Sequence, residues 1–415
     1  MAQAARWLQL PPEHPFGLAA LPYGSYTAER HAADYRVGVA IGDHVLDLTT
    51  AAERLLPARS HLFRSGRLDD FLAAGELAWT QVRDSLTGWL TDEDCRSVIE
   101  DLLVPADAVS LRLPFAVADF VDFFASENHA ANAGRIFRPA AASLPANWKH
   151  LPVGYHGRAG SVVVSGTAVR RPCGQYRPLG ADVPSFGPSA RLDFEAELGF
   201  VVGAPSHLGD PVPVSRFAAH VFGVCLVNDW SARDIQSFET VPLGPFLGKS
   251  FATTISPWVL PLGALQHARL RPPSADAILQ DYLIETTDWG LDIDFEVRLN
   301  GQLISRPPYA TMFWSPAQML AHLTVNGAAV RPGDLYASGT VSGPEPGQRG
   351  SLLELGWNGT EPISLPDGTS RSWLQDADEV TITASAPGAD GIRIGLGSAT
   401  GTIVPALPLS PAGQR

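Results

Sequence analysis

The segment RLDFEAELGFVV, residues 191–202, alternates acidic with apolar side chains and poses the question on which the fold depends. Asp193, Glu195 and Glu197 occupy every second position, and side chains two residues apart on a strand point to the same face. Such carboxylates lie about 7 Å apart and repel one another unless water or a cation compensates their charge. Taken by itself, the segment is equally compatible with a wet strand face and with a metal site.

The rest of the chain predicts a mainly β protein with short helices. Its 415 residues include 35 prolines and 39 glycines, which favours short strands joined by tight turns. The Asn300-Gly301 pair predicts a two-residue hairpin, and short helices are expected after Ser215, Ser231 and the Ser315-Pro316 pair. The main strand patterns are SVVVSG (161–166), LDIDFEVRLNGQ (291–302), DEVTITA (378–384) and DGIRIGLG (390–397).

The N-terminal part has a pattern of its own. YRVGVAIGDHVLDL (35–48) predicts a hairpin closed by Gly42-Asp43, and residues 68–90 have the apolar spacing of a helix. We therefore expect an N-terminal domain over 1–114 and a larger domain over 115–415.

Composition excludes several classes of function. A net charge of −13 without a basic patch argues against a nucleic-acid partner. The three cysteines are widely separated, which favours a reducing compartment over a disulfide framework. The N-terminal MAQAARWLQLPPEHPFG lacks a secretory pattern, and no apolar run is long enough to cross a bilayer. A cytoplasmic protein without a membrane partner is expected.

Alternation of acids is not specific by itself, because residues 292–300 show it too. There Arg298 shares the row with Asp292, Asp294 and Glu296, and the strand runs into the predicted hairpin. An ordinary half-solvated sheet face explains that pattern.

Two further acidic stretches favour a site. CLVNDWSARDIQ (225–236) places Asp229 at the end of an apolar strand, followed by a helix predicted to begin at Ser231 on which Arg233 and Gln236 share a face. VDFFASENHAANAGRIFRP (121–139) places Asp122 among phenylalanines, where an uncompensated carboxylate is costly to bury, and places His129 on a predicted helix. All-oxygen ligation suits Ca²⁺ or Mg²⁺, and the sequence has no His or Cys cluster for zinc or copper.

Candidate catalytic side chains are less specific. A single histidine such as His129 is more often packed or at the surface, unless a carboxylate orients it; Glu354, in the strand-like run SLLELGW (351–357), is a candidate partner. Lys249 lies in a glycine-flanked turn and, taken alone, is expected to be exposed. Neither a GxSxG elbow nor a GxxxxGK[ST] loop is present, and GIRIGLGSATG (391–401) is not followed by a helix, which argues against a dinucleotide site.

Several ordered stretches together resemble the fumarylacetoacetate hydrolase family, from LPYG at residue 21 to VPAL at residue 404. They are LPVGYHGRAGSVVVSGT (151–167), NDWSARDIQ (228–236), VPLGPFLGKSF (241–251), RPGDLYASGTVSGPEPG (331–347) and SLLELGW. The resemblance implies a small N-terminal SH3-like β-barrel, a C-terminal mixed β-sandwich roll and a homodimer. It also implies hydrolysis of a carbon–carbon bond in a 1,3-diketone acid, with fumarylacetoacetate of tyrosine and phenylalanine breakdown as the leading substrate.

The resemblance also implies roles for individual residues. His129 and Glu354 match the catalytic pair, with Arg233, Gln236 and Lys249 stabilising developing charge. The divalent cation, Ca²⁺ or Mg²⁺, would be held by Asp122, Glu195, Glu197 and Asp229, with Lys249 and Thr253 in a second ion-binding element. The substrate would contact Phe124, Arg138, Tyr155, Gln236, Thr240 and Thr340.

Two of these positions depart from the family pattern. Phe124 and Thr240 stand where tyrosines are usual, so two phenolic donors are missing from the substrate end. A pocket without them would favour a related acylpyruvate or another diketone acid. A relative that decarboxylates or isomerises a keto acid, and a non-catalytic protein that keeps the cation for stability, are the competing interpretations.

Overall fold

A computed structural model describes residues 6–8, 10–11, 13–28, 34–140, 143–285, 287–365 and 368–408. The first five residues, part of the stretch interpreted as lacking a secretory pattern, lie outside this set. The expected class, mainly β with short helices, is confirmed. Among the described residues, no helix combines the length and the apolar character that a membrane span requires.

Most helices are short, and the longest, α3, has 17 residues. In chain order they are α1 (Leu48–Leu55), α2 (Asp69–Ala73), α3 (Gly75–Thr91), α4 (Arg96–Glu100), α5 (Glu127–Phe137), α6 (Phe217–His220), α7 (Arg233–Glu239), α8 (Pro316–Thr324) and α9 (Leu352–Leu355). The helix predicted over 68–90 is therefore present as α2 and α3.

The N-terminal strands form one end of a large sheet. They are β1 (Tyr23–Thr27), β2 (Arg36–Ile41), β3 (His44–Asp47), β4 (Leu103–Pro105) and β5 (Ser110–Arg112). The predicted hairpin is confirmed, because Ile41 pairs with His44 across Gly42-Asp43. The strand order β4-β3-β2-β1 continues into the C-terminal strands, and the described pairings form no closed barrel.

The C-terminal strands complete this sheet and build a second one. They are β6 (Asp119–Phe123), β7 (Gly154–His156), β8 (Val162–Val164), β9 (Val169–Arg170), β10 (Cys173–Tyr176), β11 (Ser185–Pro188), β12 (Leu192–Asp193), β13 (Ala196–Val202), β14 (Val221–Asp229), β15 (Ser231–Ala232), β16 (Thr253–Ile255), β17 (Trp258–Pro261), β18 (Arg269–Leu270), β19 (Gly290–Leu291), β20 (Asp294–Leu299), β21 (Gln302–Ser305), β22 (Asp334–Ala337), β23 (Ile363–Ser364), β24 (Ser370–Arg371), β25 (Glu379–Pro387) and β26 (Arg393–Val404).

Two sheets organise the C-terminal part. The large sheet continues as β1-β17-β14-β13-β22-β6-β7, with β16 paired to β14 and β8. The second has the order β21-β20-β25-β26-β9. Strand β13 is buried along its whole length: Leu198 and Phe200 pack in the larger core, while Val201 packs in the core under the N-terminal helices.

Local predictions were confirmed at a turn and a helix cap that depend only on residues close together in the chain. Asn300 and Gly301 both have positive φ and close the β20–β21 hairpin. Ser315 caps α8 in a reciprocal capping box with Gln318, and Pro316 is the first helical residue. The alternating face of β20 is half-solvated, and Arg298 Nη2 lies 2.9 Å from Glu296 Oε2, as expected for an ordinary sheet surface.

Two predicted caps were wrong. Ser231 lies in β15 and donates to the Asp229 carbonyl, so α7 begins at Arg233 without a side-chain cap. Ser215 lies in a 3₁₀ turn before α6, which also has no side-chain cap. In both places the serine belongs to a strand or a 3₁₀ turn that precedes the helix, so its hydroxyl does not cap the helix.

Candidate active site

Four carboxylates from three strand regions meet at one end of the large sheet. Asp122, Glu195, Glu197 and Asp229 each offer an oxygen, and these four atoms lie within 4.8 Å of one another. The side chains are between 0% and 4% exposed. A wet strand face is therefore excluded for residues 193–197, because Asp193 is buried as well.

Strand register explains why residues so far apart in sequence converge. Strand β13 pairs with β14 on one side and β22 on the other, and β22 runs parallel to β6 with Ala337 opposite Asp122. Asp229 is the last residue of β14, as predicted, and its amide donates to the Glu195 carbonyl at 3.1 Å. The expected continuous strand 191–202 is interrupted between β12 and β13, so Glu195 lies in the segment between the two strands.

A glycine permits the close approach of the chain beside Asp122. Gly339 has φ +75, a region that favours glycine. A Cβ at this position would lie 2.2 Å from the carbonyl oxygen of Phe123. Glycine is therefore required where the segment after β22 passes the end of β6.

The donor set fits a hard divalent cation. Both carboxylate oxygens of Glu197 and Oδ1 of Asp122 are buried without a hydrogen-bond partner among the described residues. Leaving ionised oxygens buried and unpartnered is costly unless a cation compensates them. Four carboxylates without sulfur or imidazole ligands suit Ca²⁺ or Mg²⁺.

The pKa directions support the same conclusion. Burial, followed by repulsion from Asp229, raises the pKa of Asp122 well above its ordinary value. Burial and then repulsion from Asp122 raise the pKa of Glu197 in the same way. The four carboxylates are therefore unfavourable as a fully ionised set, and a bound cation would relieve that repulsion.

Lys249 lies inside the cluster. Its Nζ donates hydrogen bonds to Glu195 and, at 2.7 Å, to Asp229 Oδ2, and the side chain is 6% exposed. The expectation of an exposed lysine was wrong, because the turn before β16 folds onto the carboxylates. Burial disfavours the ammonium, but the adjacent Asp229 and Glu195 outweigh it and raise the pKa of Lys249. Thr253 Oγ1 donates to Asp229 Oδ1 at 3.0 Å.

Asp193, the first acid of the opening segment, pairs with an arginine instead of joining the four. Arg233 Nε donates to Asp193 Oδ2 at 2.8 Å, while its Nη2 donates to Glu195 Oε1 at 2.6 Å. The predicted shared face on α7 is present, since Arg233 Nη1 donates to Gln236 Oε1 at 3.0 Å. Burial opposes ionisation of Glu195, but the charges of Lys249 and Arg233 prevail and lower its pKa.

His129 and Glu354 form a buried pair beside the four carboxylates. His129 Nδ1 lies 2.6 Å from Glu354 Oε2, and His129 Nε2 lies 4.0 Å from Glu195 Oε1. His129 is on α5 as expected, and Ser126 caps this helix by accepting from the His129 amide. Glu354 lies on the short helix α9, not on the strand that its apolar neighbours suggested, because Ser351 caps a helical turn there.

Three side chains that sequence reasoning missed hold the Glu354 carboxylate. Asn132 Nδ2 donates to Oε1 at 2.9 Å, whereas Ser342 Oγ and Ser351 Oγ donate to Oε2 at 2.8 and 3.0 Å. The one available signal was the spacing of Asn132 three residues after His129, which puts both on one helix face. Burial disfavours the Glu354 carboxylate, but His129 and these donors outweigh it and lower its pKa.

Some predicted substrate residues lie at this site. The Phe124 ring packs edge-on against His129 at 5.2 Å between centroids, and Tyr155 donates to Asp229 Oδ2 at 3.2 Å. Thr340 is buried, and its Oγ1 has no hydrogen-bond partner among the described residues. Thr240 Oγ1 donates back to the Gln236 carbonyl at 2.6 Å.

Among the described contacts, Arg138 forms no ion pair with the four carboxylates within 4.0 Å. It is the exposed C-terminal cap of α5. A small cavity of about 120 Å³ is instead lined by Tyr155, Arg158, Phe246 and Lys249, among others. Its volume suits one end of a small acid.

Comparisons with known proteins cover nearly the whole chain. The fumarylacetoacetase N-terminal family matches residues 19–114, and the fumarylacetoacetate hydrolase C-terminal family matches residues 120–404. Fumarylacetoacetase of Rattus norvegicus is 43% identical over 412 residues, covering 96% of this chain and 97% of the relative. Fumarylacetoacetase of Arabidopsis thaliana is 42% identical over 424 residues, covering 98% and 100%.

A solved structure shows the fold alone. Fumarylacetoacetate hydrolase from Exiguobacterium antarcticum superposes with a TM-score of 0.54 at 17% identity, covering 93% of this chain and all of the other. Together with the two family matches, these similarities establish that the chain belongs to the fumarylacetoacetate hydrolase family.

Proposed function

We propose that this chain hydrolyses 4-fumarylacetoacetate to fumarate and acetoacetate. It is a hydrolase of the fumarylacetoacetase type, as curated relatives with 40–43% identity over nearly full length indicate. The observation that carries the proposal is the His129–Glu354 pair beside the four buried carboxylates, because this arrangement places a base next to a cation-binding site.

His129 is the general base. A carboxylate accepts hydrogen bonds, so Nδ1 carries the proton in the 2.6 Å contact with Glu354, and Nε2 presents its lone pair. Nε2 faces the acidic cluster, 4.0 Å from Glu195 Oε1. His129 thereby takes a proton from water, and the resulting hydroxide adds to the ketone carbon of the fumaroyl group.

The bond between that carbon and the central carbon of the diketone then breaks. The fumaroyl part leaves as fumarate, and the other part leaves with the bonding electrons and takes a proton to give acetoacetate. Asp122, Glu195, Glu197 and Asp229 would hold a divalent cation, which supplies Lewis-acid stabilisation of the negative charge on the diketone oxygens.

Cationic and amide side chains also stabilise negative charge near the diketone oxygens of the substrate. Lys249 and Arg233 bring fixed positive charge to the site, and Gln236 lies against Arg233. The raised pKa of Lys249, due to Asp229 and Glu195, keeps it an ammonium that can donate to the developing oxyanion or to the leaving carbon. Thr253 and the Lys249 turn belong to a proposed second ion-binding element.

Substrate preference depends on the two departures from the family pattern. Phe124 lies against His129, and Thr240 is satisfied by its own helix, so neither supplies a phenolic donor. Arg138, Tyr155 and Thr340 remain the proposed contacts to the substrate acid. A related acylpyruvate or diketone acid is the second candidate substrate class, favoured by these two positions.

We place the chain in tyrosine and phenylalanine breakdown in the cytoplasm, consistent with its three free cysteines. A homodimer is supported by exposed apolar side chains next to the Lys249 turn, with Val241 85%, Leu243 96% and Phe246 65% exposed. The separate family matches support domains over 1–114 and 115–415.

The test is a product assay with purified protein. Fumarylacetoacetate and a series of acylpyruvates are each supplied, and loss of diketone absorbance is followed with quantification of both products. Equal amounts of fumarate and acetoacetate support the proposal. Carbon dioxide or an isomer as product would indicate a decarboxylase or isomerase, and no turnover would indicate a non-catalytic cation-binding protein.

A further inference from the structure

A second cavity lies away from the four carboxylates, between α3 and the strand–loop region around β17. It encloses about 530 Å³, several times the volume of the cavity beside Lys249. Its wall includes Tyr23, Trp79, Phe222 and Trp289, together with the guanidinium-bearing Arg83 and Arg269. This volume falls within the range of small-molecule sites, roughly 300–1,000 Å³.

Arg83 and Arg269 bring positive charge to the cavity. Arg83 donates from Nη1 and Nη2 to the carbonyls of Ala20 and Ala19 at 3.0 and 2.6 Å. Arg269 donates from Nε and Nη2 to the Asp288 carbonyl at 3.0 and 2.8 Å. Within the described part of the chain, neither forms an ion pair with an acidic side chain at 4.0 Å or less, so their charge is available to an anion.

Aromatic rings supply flat apolar walls next to these charges. Arg269 lies over the Trp289 ring at 4.0 Å, which fixes one guanidinium against an aromatic face. Trp79 and Phe222 meet edge to face at 5.4 Å between centroids, and the Trp79 indole donates to the Phe71 carbonyl at 2.9 Å. The walls are therefore held in place before any ligand arrives.

A buried hydroxyl in the wall also lacks a partner. Tyr23 is 0% exposed, and its phenolic oxygen makes no hydrogen bond within the described residues. A buried hydroxyl without a partner is unfavourable, and an acceptor on a ligand would satisfy it. Glu76 also lines the cavity, but it is exposed to water.

From these features we propose that the cavity binds a small organic anion with a flat apolar body, such as an aromatic carboxylate. The guanidinium groups of Arg83 and Arg269 would receive the carboxylate, and the rings would cover the apolar body. This site is separate from the carboxylate cluster and is independent of the hydrolytic function proposed above.

The test uses 2-naphthoate as the probe and isothermal titration calorimetry with the full chain. One saturable site per chain is expected, and the neutral 2-naphthalenemethanol should bind at least 10-fold more weakly because it lacks the charge. Arg269→Gln should weaken naphthoate binding at least 10-fold, and Tyr23→Phe about 3-fold. Arg271→Gln is the matched control, because Arg271 is exposed and lies two residues away outside the cavity wall.

The hydrolysis rate of fumarylacetoacetate should be the same in wild type and Arg269→Gln. The absence of saturable binding, equal affinity for the neutral analogue, or full naphthoate affinity in folded Arg269→Gln would each overturn the proposal. The comparison of charged and neutral probes needs only the wild-type protein, so the test does not depend on whether a variant folds.

Discussion

Glu354 and His129 are 225 residues apart in the chain, yet Oε2 of the first lies 2.6 Å from Nδ1 of the second in a buried contact. This contact fixes the imidazole so that Nε2 faces the carboxylate cluster. The base and the cation-binding residues are therefore organised as one unit, although they come from different elements.

Removing the base should abolish turnover without emptying the cation site. His129→Ala should lower kcat at least 100-fold, because a positioned general base contributes roughly 10²–10⁴-fold. Bound Ca²⁺ or Mg²⁺ per chain, measured by elemental analysis, should remain that of wild type. A variant with nearly full kcat would remove His129 from the chemistry.

The side chains that donate hydrogen bonds to Glu354 should affect the chemical step through His129. Asn132→Ala removes the donor to Glu354 Oε1 and should lower kcat about 10-fold with little change in KM. Because one donor to the ionised carboxylate is lost, the pKa of Glu354 rises and the acidic limb of the kcat profile moves to higher pH.

Asn128→Ala is the control for that experiment. Asn128 lies on the same helix and donates its side-chain amide at 3.1 Å, but to the Ser342 carbonyl and not to Glu354. It should lower the melting temperature by a similar amount while leaving the pH profile in place. Equal kinetic effects of the two substitutions would mean that Asn132 acts only through stability.

Two buried acids should respond to substitution in opposite ways when cations are chelated. Glu197→Gln removes an uncompensated charge, so the chelated variant should be about 1–3 kcal/mol more stable than chelated wild type and should gain little from added Ca²⁺ or Mg²⁺. Asp193→Asn breaks the buried pair with Arg233 and should cost about 3–5 kcal/mol.

Denaturant unfolding with and without chelator measures both effects. Wild type should gain stability on addition of the cation, by about 2.7 kcal/mol at a concentration 100 times its dissociation constant. A loss of stability in chelated Glu197→Gln comparable to that of Asp193→Asn would show that Glu197 is compensated within the protein itself.

The sequence predicts those features of the site that depend on residues close together in the chain. Asp229 at a strand end, His129 on a helix and the Asn300-Gly301 turn follow from patterns of a few residues. The burial of Lys249 does not, because it results from a turn folding onto carboxylates of β14 and of the segment before β13.

The sequence did not predict the hydrogen bonds to Glu354 for a related reason. Ser342 and Ser351 are close to Glu354 in sequence, but they meet Asn132 only after α5 and α9 pack together. The apolar run around Glu354 also predicted a strand, whereas the Ser351 cap and the surrounding packing stabilise one helical turn. Tertiary contacts outweigh local preference at such short elements.

A carboxyl outside the site should make stability depend on pH. Burial raises the pKa of Glu285 from 4.5 to about 7, even though Ser315 donates to one of its oxygens. A folded-state pKa above the unfolded value means that the folded state holds the proton more tightly. This contribution to stability is complete below about pH 4.5 and is lost as the pH rises through about 7.

Glu285→Gln keeps the shape of the side chain and removes its titration. The free energy of unfolding of the variant relative to wild type should rise by about 3 kcal/mol between pH 4 and pH 8. Urea unfolding at several pH values measures this difference. A difference that does not change with pH would show that Glu285 ionises normally in the folded protein.

The central claim is that hydrolysis requires one cation held by Asp122, Glu195, Glu197 and Asp229. Its most direct test is the initial rate of fumarylacetoacetate cleavage as Mg²⁺ or Ca²⁺ is returned to chelated protein, with bound metal measured in the same samples. We predict a rate that rises in proportion to occupancy and saturates near one ion per chain. Full activity in protein from which the metal has been removed would contradict the account.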